Sequence, residues 1–454
     1  MVLYNATVFT LNGDRDVFAS GAVRVEGERI AAVGGSAGEI AREGDELVDL
    51  RGRFLLPGFV NAHVHVVQQL ARGLADDVDI LVWLHERIWP YESHMSEEDA
   101  YCSTMLAGYE QIKNGVTTIC DSGVHHAAAT VDAIRDLGIR AQLCFSIMDE
   151  GEGLPQAWRL SVDEAMEKQR EAYQSYHGAV DGKVDWFLGL RTLMNHSDEL
   201  VRETKALADD LDGWIHMHIA EGLAEREIIT ASRGKTTVRH LADMGILSPK
   251  FLAAHAQGVD GEEIAILAEH GVKVAYCPSA AARVMGWSPI AEMSRAGIPI
   301  GVSTDGVPSN GRNSIMDELF FAGHIQRGRM AHAAAKPAPA VPADRLLEMI
   351  TIEAAECVGL ADRIGSIEPG KQADFVVVDP GGVEMIPVHD PIANLVYSLK
   401  TENVESTMCA GRWLMKDREI QVFDPQELIA EGVRRAAEIT ERAGVKLPLR
   451  YNWK

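Results

Sequence analysis

The sequence has no uninterrupted apolar run of about 18 residues, so nothing in it reads as a membrane-spanning helix. Residues 1–12 alternate like a strand and lack the basic start and apolar core of a signal peptide. Cysteine is sparse. The six (Cys102, Cys120, Cys144, Cys277, Cys357 and Cys409) are scattered without a C-x-x-C pair, which suits reduced core thiols of an intracellular protein. Positive charge is also short, with 43 Lys plus Arg against 67 Asp plus Glu and a formal charge of -24. Such a field repels nucleic acid and anionic membranes. The acidic residues are spread along the chain, as on a solvated surface. A cytoplasmic protein with no nucleic-acid and no membrane partner is expected.

What is present suits a large core: 46% of the 454 residues are hydrophobic, enough for a barrel and a satellite domain. Up to Leu56 the chain reads as short strands and turns, with Asn12-Gly13-Asp14 and Glu26-Gly27-Glu28 as punctuation. From Pro57 apolar runs alternate with segments of helical period, the pattern of parallel βα units. Eight candidate strands fall at 58–63, 115–120, 139–146, 184–190, 214–219, 251–255, 272–277 and 298–304. Helical patterns between them include 97–113, 161–176, 198–211, 261–270 and 313–327. The fold class is therefore α/β, a (β/α)8 TIM barrel over 57–360. An exposed Ala/Pro-rich loop is expected at 333–342, and a helix at about 343–358. Strand-and-turn texture then returns, so that 1–56 and 361–424 form one small composite β-sandwich domain from both chain ends. Residues 425–454 make a helix and tail, with Asp424 as cap, Pro425 in the first turn and Gly444 at the end.

Placing polar residues on this strand map is the informative step. His63 and His65 end the first strand, and residues two apart on a strand share a face. His216 and His218 end the fifth strand, His255 ends the sixth, and Asp305 follows the eighth. The C-terminal strand ends of a barrel form its functional rim, so four strands deliver imidazole or carboxylate to one place. Neutral imidazoles with a carboxylate suit zinc or a similar first-row ion better than magnesium or calcium. Glu221 lies three residues after His218, placed to move protons between water and substrate. His125 and His126, after the second strand, are candidates to reach the same face. The remaining histidines map to helices or loops away from these strand ends.

The ordered set Leu56-Pro57-Gly58-Phe59-Val60-Asn61-Ala62-His63-Val64-His65, His216-Met217-His218-Ile219-Ala220-Glu221, Ala254-His255, Cys277-Pro278-Ser279 and Ser303-Thr304-Asp305-Gly306 resembles the amidohydrolase superfamily. A further match is Gly365-Ser366-Ile367-Glu368-Pro369-Gly370-Lys371-Gln372-Ala373-Asp374-Phe375. Within that superfamily the resemblance is to the mononuclear deaminase and atrazine-chlorohydrolase-like branch, over nearly the whole chain. It implies one divalent ion per chain, zinc with iron as the alternative, held by His63, His65, His218 and Asp305. It implies Glu221 as proton shuttle, with His255 and Asp305 acting on the attacking water and His216 in support. Binuclear members place a carboxylated Lys at the end of strand four. Here that end reads Phe187-Leu188-Gly189-Leu190-Arg191-Thr192, so one metal is expected.

The implied activity is release of ammonia from a nitrogen heteroaromatic ring: a purine base, pterin, pyrimidine or triazine-like ring. Displacement of halide or alkylamine from an s-triazine-like ring, and nucleoside deamination, stay open as alternatives. Nucleoside-acting relatives carry a Glu before the Trp of the first long loop, where Val82 precedes Trp83 here. Candidate substrate contacts are Gln69, Trp83, His125, Arg191, His196, Trp287 and Asn310. Arg191, at a strand end, is suited to pair with a substrate carbonyl or carboxylate. Ring-opening amide hydrolysis fits poorly without the strand-four Lys, and a metal-free assembly protein fits poorly with every ligand present. Relatives of this kind form homodimers or larger homo-oligomers. The apolar face Leu428, Ile429, Val433, Ala437 and Ile439 suits either a subunit contact or a cover for the chain's own β domain.

Overall fold

A computed structural model describes residues 1–333, 340–447 and 451; most of the loop expected at 333–342 and the end of the tail lie outside these. Eight parallel strand positions form the barrel: Phe59–Val64, Val116–Val124, Arg140–Phe145, Val184–Trp186 with Leu188–Thr192, Ile215–Ile219, Phe251–His255, Lys273–Tyr276 and Ile300–Val302. Nearly all of their residues are buried, as expected for parallel strands covered on both faces. The fourth strand is split at Phe187, whose N–H donates to Leu143 O (2.8 Å) while Leu188 pairs with Ile215. There the strand passes from one hydrogen-bonded neighbour to the other. Only glycine fits next to the split, because a Cβ on Gly189 would lie 1.8 Å from Phe145 O.

The ring closes between the eighth and first strands. Asp305 N–H donates to His63 O (3.0 Å), Thr304 N–H to Asn61 Oδ1 (3.1 Å), and Asn61 Nδ2 to Thr304 Oγ1 (2.8 Å). Small side chains make this seam possible; a Cβ on Gly301 would meet Ala62 Cβ at 2.6 Å. Inside the barrel, Val60, Cys120, Cys144, Phe187 and Leu252 pack with Ala354, Ala355 and Cys357 of helix Ile352–Cys357. All six cysteines are free and buried.

The two chain ends meet in one mixed sheet of nine strands. Phe54–Pro57 runs parallel to Val2–Phe9 and antiparallel to Phe375–Val378, which in turn pairs with Val404–Cys409. Alternation divides the side chains. Leu55, Phe375 and Val377 enter a separate core with Leu3, Val8 and Val23, while Leu56, Val376 and Val378 join the barrel core. Helix Pro425–Ala443 starts with Asp424 accepting from Gln426 N and Glu427 N, and ends at Gly444 with φ 63°. It lies on helix Glu97–Lys113, where buried Asp99 takes Arg435 (3.0 Å) and Arg442. A Cβ on Gly432 would sit 2.3 Å from Leu106, so this contact is close. The tail thus covers a barrel helix, with Ile439 buried and Val433 exposed. Among the described residues no helix is long and apolar enough to cross a membrane.

Candidate active site

The carboxyl ends of the first, fifth, sixth and eighth strands bring their polar residues to one point. His63 and His218 have ring centroids 4.9 Å apart, His63 and His255 5.2 Å, and His65 stacks on His218 at 5.3 Å. Asp305 Oδ1 lies 3.6 Å from His63 Nε2 and 3.5 Å from His65 Nε2. Four residues around this point adopt left-handed backbone without being glycine: Ala220 (φ 50°), His255 (76°), Ala256 (49°) and Asp305 (62°). Such conformations cost about 1–3 kcal/mol each and persist where surrounding structure imposes them.

Hydrogen bonds fix which ring nitrogens face inward. His218 Nδ1 lies 2.9 Å from the Arg191 carbonyl, which can only accept, so Nδ1 carries the proton. Its Nε2 is left as a bare lone pair, 3.2 Å from His65 Nε2. His63 Nδ1 meets His216 Nε2 at 3.0 Å, which leaves His63 Nε2 buried and without a hydrogen-bond partner. Burial holds His65, His216 and His218 well below the usual imidazole pKa, and His255 is lowered to about 3. All four are neutral near pH 7, the form that can ligate.

These donors fit a tetrahedral ion. Bonds of about 2.0–2.1 Å place neighbouring ligand atoms roughly 3.3 Å apart, and the three inward separations here are 3.2, 3.5 and 3.6 Å. The groups His63, His65, Asp305 and His63, His218, His255 each have their ligand atoms within 4.8 Å of one another. Burial pushes the Asp305 carboxyl up, but the close approach of His63, with the His255 and His65 rings, outweighs it and holds it well below the carboxylate range. Its other oxygen accepts from Ser309 Oγ (2.9 Å). Glu221 stands beside this cluster, Oε1 3.8 Å from His255 Nε2. Burial and the neighbouring Glu225 carboxylate push its pKa up to about 8.

A pocket opens above the cluster, with His65, His218, Glu221, His255 and Asp305 in its floor. Of the expected substrate contacts, Trp83 and Arg191 line it. The structure places the other five elsewhere. Gln69 is engaged at both ends, by Glu110 (2.8 Å) and Asn313 (2.6 Å). His125 stacks on Trp158 at 4.2 Å, and His126 meets Met95 O at 3.0 Å. His196 is fully buried, its Nε2 between Arg191 N–H (3.0 Å) and Ile147 O (2.8 Å), so it holds the Arg191 backbone from behind. Trp287 is 60% exposed beyond the pocket wall, and Asn310 donates to Thr304 O within its own loop. Val82 is absent from the lining.

The sequence reading missed the wall itself. Leu81, Leu84, Met194, Val284 and Met285 come from short helical turns beyond the strand ends, and Ile228 from helix Leu223–Arg233. It also missed Gly123, where a Cβ would come within 2.8 Å of His65 Nδ1 and drive the ring from the cluster.

Comparison with known proteins agrees with this geometry. The sequence model of a family described as Amidohydrolase family matches residues 54–414. A 5-methylthioadenosine/S-adenosylhomocysteine deaminase of Symbiobacterium thermophilum is 34% identical over 440 residues, 96% of this chain and 98% of that protein. A 5'-deoxyadenosine deaminase of Methanobrevibacter smithii is 30% identical over 423 residues, 93% of this chain and 94% of that one. Among solved structures, a zinc-bound adenosine deaminase from Xanthomonas campestris superposes with a TM-score of 0.90 at 29% identity, covering 97% of this chain and 98% of its own. A zinc complex of atrazine chlorohydrolase from Arthrobacter aurescens gives 0.88 at 25% identity, covering 96% and 99%.

Proposed function

The chain belongs to the amidohydrolase family, a hydrolase of carbon–nitrogen bonds other than peptides, and on that premise we propose a metal-dependent aminohydrolase that releases ammonia from a nitrogen heteroaromatic ring. The observation that carries the reading is the buried Glu221 carboxyl set beside a floor of inward-facing imidazole nitrogens and the Asp305 carboxylate. His63, His65, His218 and Asp305 would hold one divalent ion, with zinc favoured by the donor set. When bound, that ion supplies a Lewis acid that makes water nucleophilic near neutral pH. His255 orients the water, and Asp305 with His255 takes its proton. Glu221 gives its proton to a ring nitrogen, which makes the adjacent carbon electrophilic. The water oxygen bonds to that carbon, and Glu221 relays the proton taken up by Asp305 and His255 to the amino group. The C–N bond breaks as ammonia leaves, and the new hydroxyl returns a proton to Glu221. His216 fixes the His63 ring from behind.

The relatives named as deaminases of adenosine-type nucleosides support an amino-substituted ring. The wall facing the first long loop is Ile80, Leu81, Trp83 and Leu84, without a carboxylate to receive sugar hydroxyls. This favours a free base, a pterin or a ring with an apolar substituent over a nucleoside. The same site serves halide or alkylamine displacement if the ring carries those groups. The proposal extends to a cytoplasmic homo-oligomer, for which the exposed Ile429 and Val433 of the last helix offer an apolar face.

The test is ammonia release by zinc-loaded protein across purines, pterins, pyrimidines, aminotriazines and adenosine-type nucleosides, with metal content measured alongside. One ring class should respond, and Glu221→Gln should lower its rate by about 10²–10⁴-fold with the metal retained. Ammonia from no ring, with one ion per chain verified, would refute deamination.

A further inference from the structure

The chain leaves the fifth strand at Ile219 and turns sharply before helix Leu223–Arg233 begins. Ala220 is left-handed (φ 50°), and a Cβ on Gly222 (φ 148°) would lie 2.6 Å from Met285 O. Glu221, the proposed proton shuttle, stands between them. No side chain caps this helix at Gly222. Its third residue, Glu225, reaches back instead, with Oε1 accepting from Ala220 N–H (3.1 Å) and Oε2 from Glu221 N–H (2.5 Å). Thr237 Oγ1 also donates to Oε1 and fixes the carboxyl from the next helix, Thr237–Asp243. Glu225 is buried, so these three donors satisfy a group that would be costly to bury alone.

This reach differs from the capping boxes of helices Glu97–Lys113, Val162–Tyr176 and Gly261–Glu269. There the third-residue carboxyls of Asp99, Glu164 and Glu263 accept from the N–H of the capping residue itself, which steadies the helix start. Glu225 passes over its capping residue and takes the two residues before it, one of which carries the carboxyl of the site. The same turn is pinned from its other side. Ala220 O accepts from Gln257 N–H (2.9 Å) and Gly258 N–H (3.0 Å), in the segment that follows His255. We propose that Glu225 is a positioning residue for the proton transfer: its carboxyl clamps the Ala220 and Glu221 N–H groups and so fixes where the Glu221 carboxyl stands beside His255. A left-handed alanine persists only where its surroundings impose it, and without the clamp the turn relaxes and carries the Glu221 carboxyl with it.

The inference rests on the deaminase reading, and two readouts keep them apart. Hydrogen exchange at Ala220 and Glu221, followed by mass spectrometry on zinc-loaded protein, tests the clamp without turnover. Glu225→Gln keeps the length and one acceptor, and Glu225→Met keeps neither. Exchange at these two amides should quicken about tenfold or more in Glu225→Met and less in Glu225→Gln, with the strand Phe251–His255 unchanged and zinc retained. Glu225→Gln alone decides both readouts if Glu225→Met does not fold. The second readout uses whichever of adenosine, guanine, cytosine, pterin and melamine releases ammonia. On it Glu225→Gln should lower kcat by about 10- to 100-fold while KM stays within about twofold. In a Glu221→Gln background the same change should cost less than about twofold, because its effect passes through Glu221. Unchanged exchange, unchanged kcat, lost zinc, or an equal loss in the Glu221→Gln background would each overturn the inference. Quickened exchange with no ammonia from any of these compounds would uphold the clamp and refute the deaminase reading.

Discussion

Two buried arginines sit at opposite ends of the barrel and are treated in opposite ways. Arg140 opens the third strand at the end facing the β domain, where Asp374 takes both its Nε (2.9 Å) and Nη2 (3.2 Å) and Gln372 accepts a further bond (3.0 Å). Burial works against the Arg140 charge, and the Asp374 carboxylate outweighs it. Arg191, at the opposite end, is buried to a similar degree, and among the described residues its side chain has no hydrogen-bond or ion-pair partner. The difference shows which end of the molecule is finished by folding alone. Arg140 at the lower end is closed into pairs within the chain, whereas the groups of the site are positioned from behind and left open in front. His196 behind Arg191, His216 behind His63 and the Arg191 carbonyl behind His218 all follow that second pattern.

Three substitutions break or sharpen the contrast. The largest loss of stability should follow Asp374→Asn, which strands Arg140 in the interior. About 3–5 kcal/mol is expected in denaturant unfolding, with activity per folded molecule retained. A smaller effect concerns Glu221 in metal-free protein. Its carboxyl would ionise near 4.5 unfolded and near 8 folded, so between those values the unfolded chain has released a proton that the folded chain keeps. Stability therefore falls as pH rises through that window, by up to a few kcal/mol. Glu221→Gln should flatten this slope; an identical slope in the variant would show that Glu221 is not held protonated. The smallest effect is expected for Arg191→Met, which should leave unfolding free energy unchanged or raise it by about 1 kcal/mol. A loss approaching that of Asp374→Asn would mean that Arg191 is paired within the folded chain, and the contrast would collapse.

The barrel and the reacting groups were legible because both leave local signatures. Strands buried on two faces appear as short apolar runs, and His63, His65, His218, His255 and Asp305 stand at the ends of such runs. The pocket contacts were less legible because each depends on a partner remote in sequence. Gln69 reads like a pocket residue until Asn313 and Glu110 occupy it. His196 reads the same way until its ring is found behind Arg191. Arg191 illustrates the converse: its residue type and position were visible, but its lack of a partner is a property of three-dimensional surroundings. Asn61, inside the matched motif, revealed its role in stitching the eighth strand to the first only in the closed barrel.

The pairing of Phe54–Pro57 with Phe375–Val378 has a consequence in time. During synthesis Leu56 emerges long before Val376, its antiparallel neighbour, so the strand leading directly into His63 and His65 waits with one edge open while the barrel is made. Such late, long-range closure slows folding and exposes an unpaired edge to other chains. The histidines that begin the site therefore belong to a segment whose order is completed by a strand made only after the whole barrel.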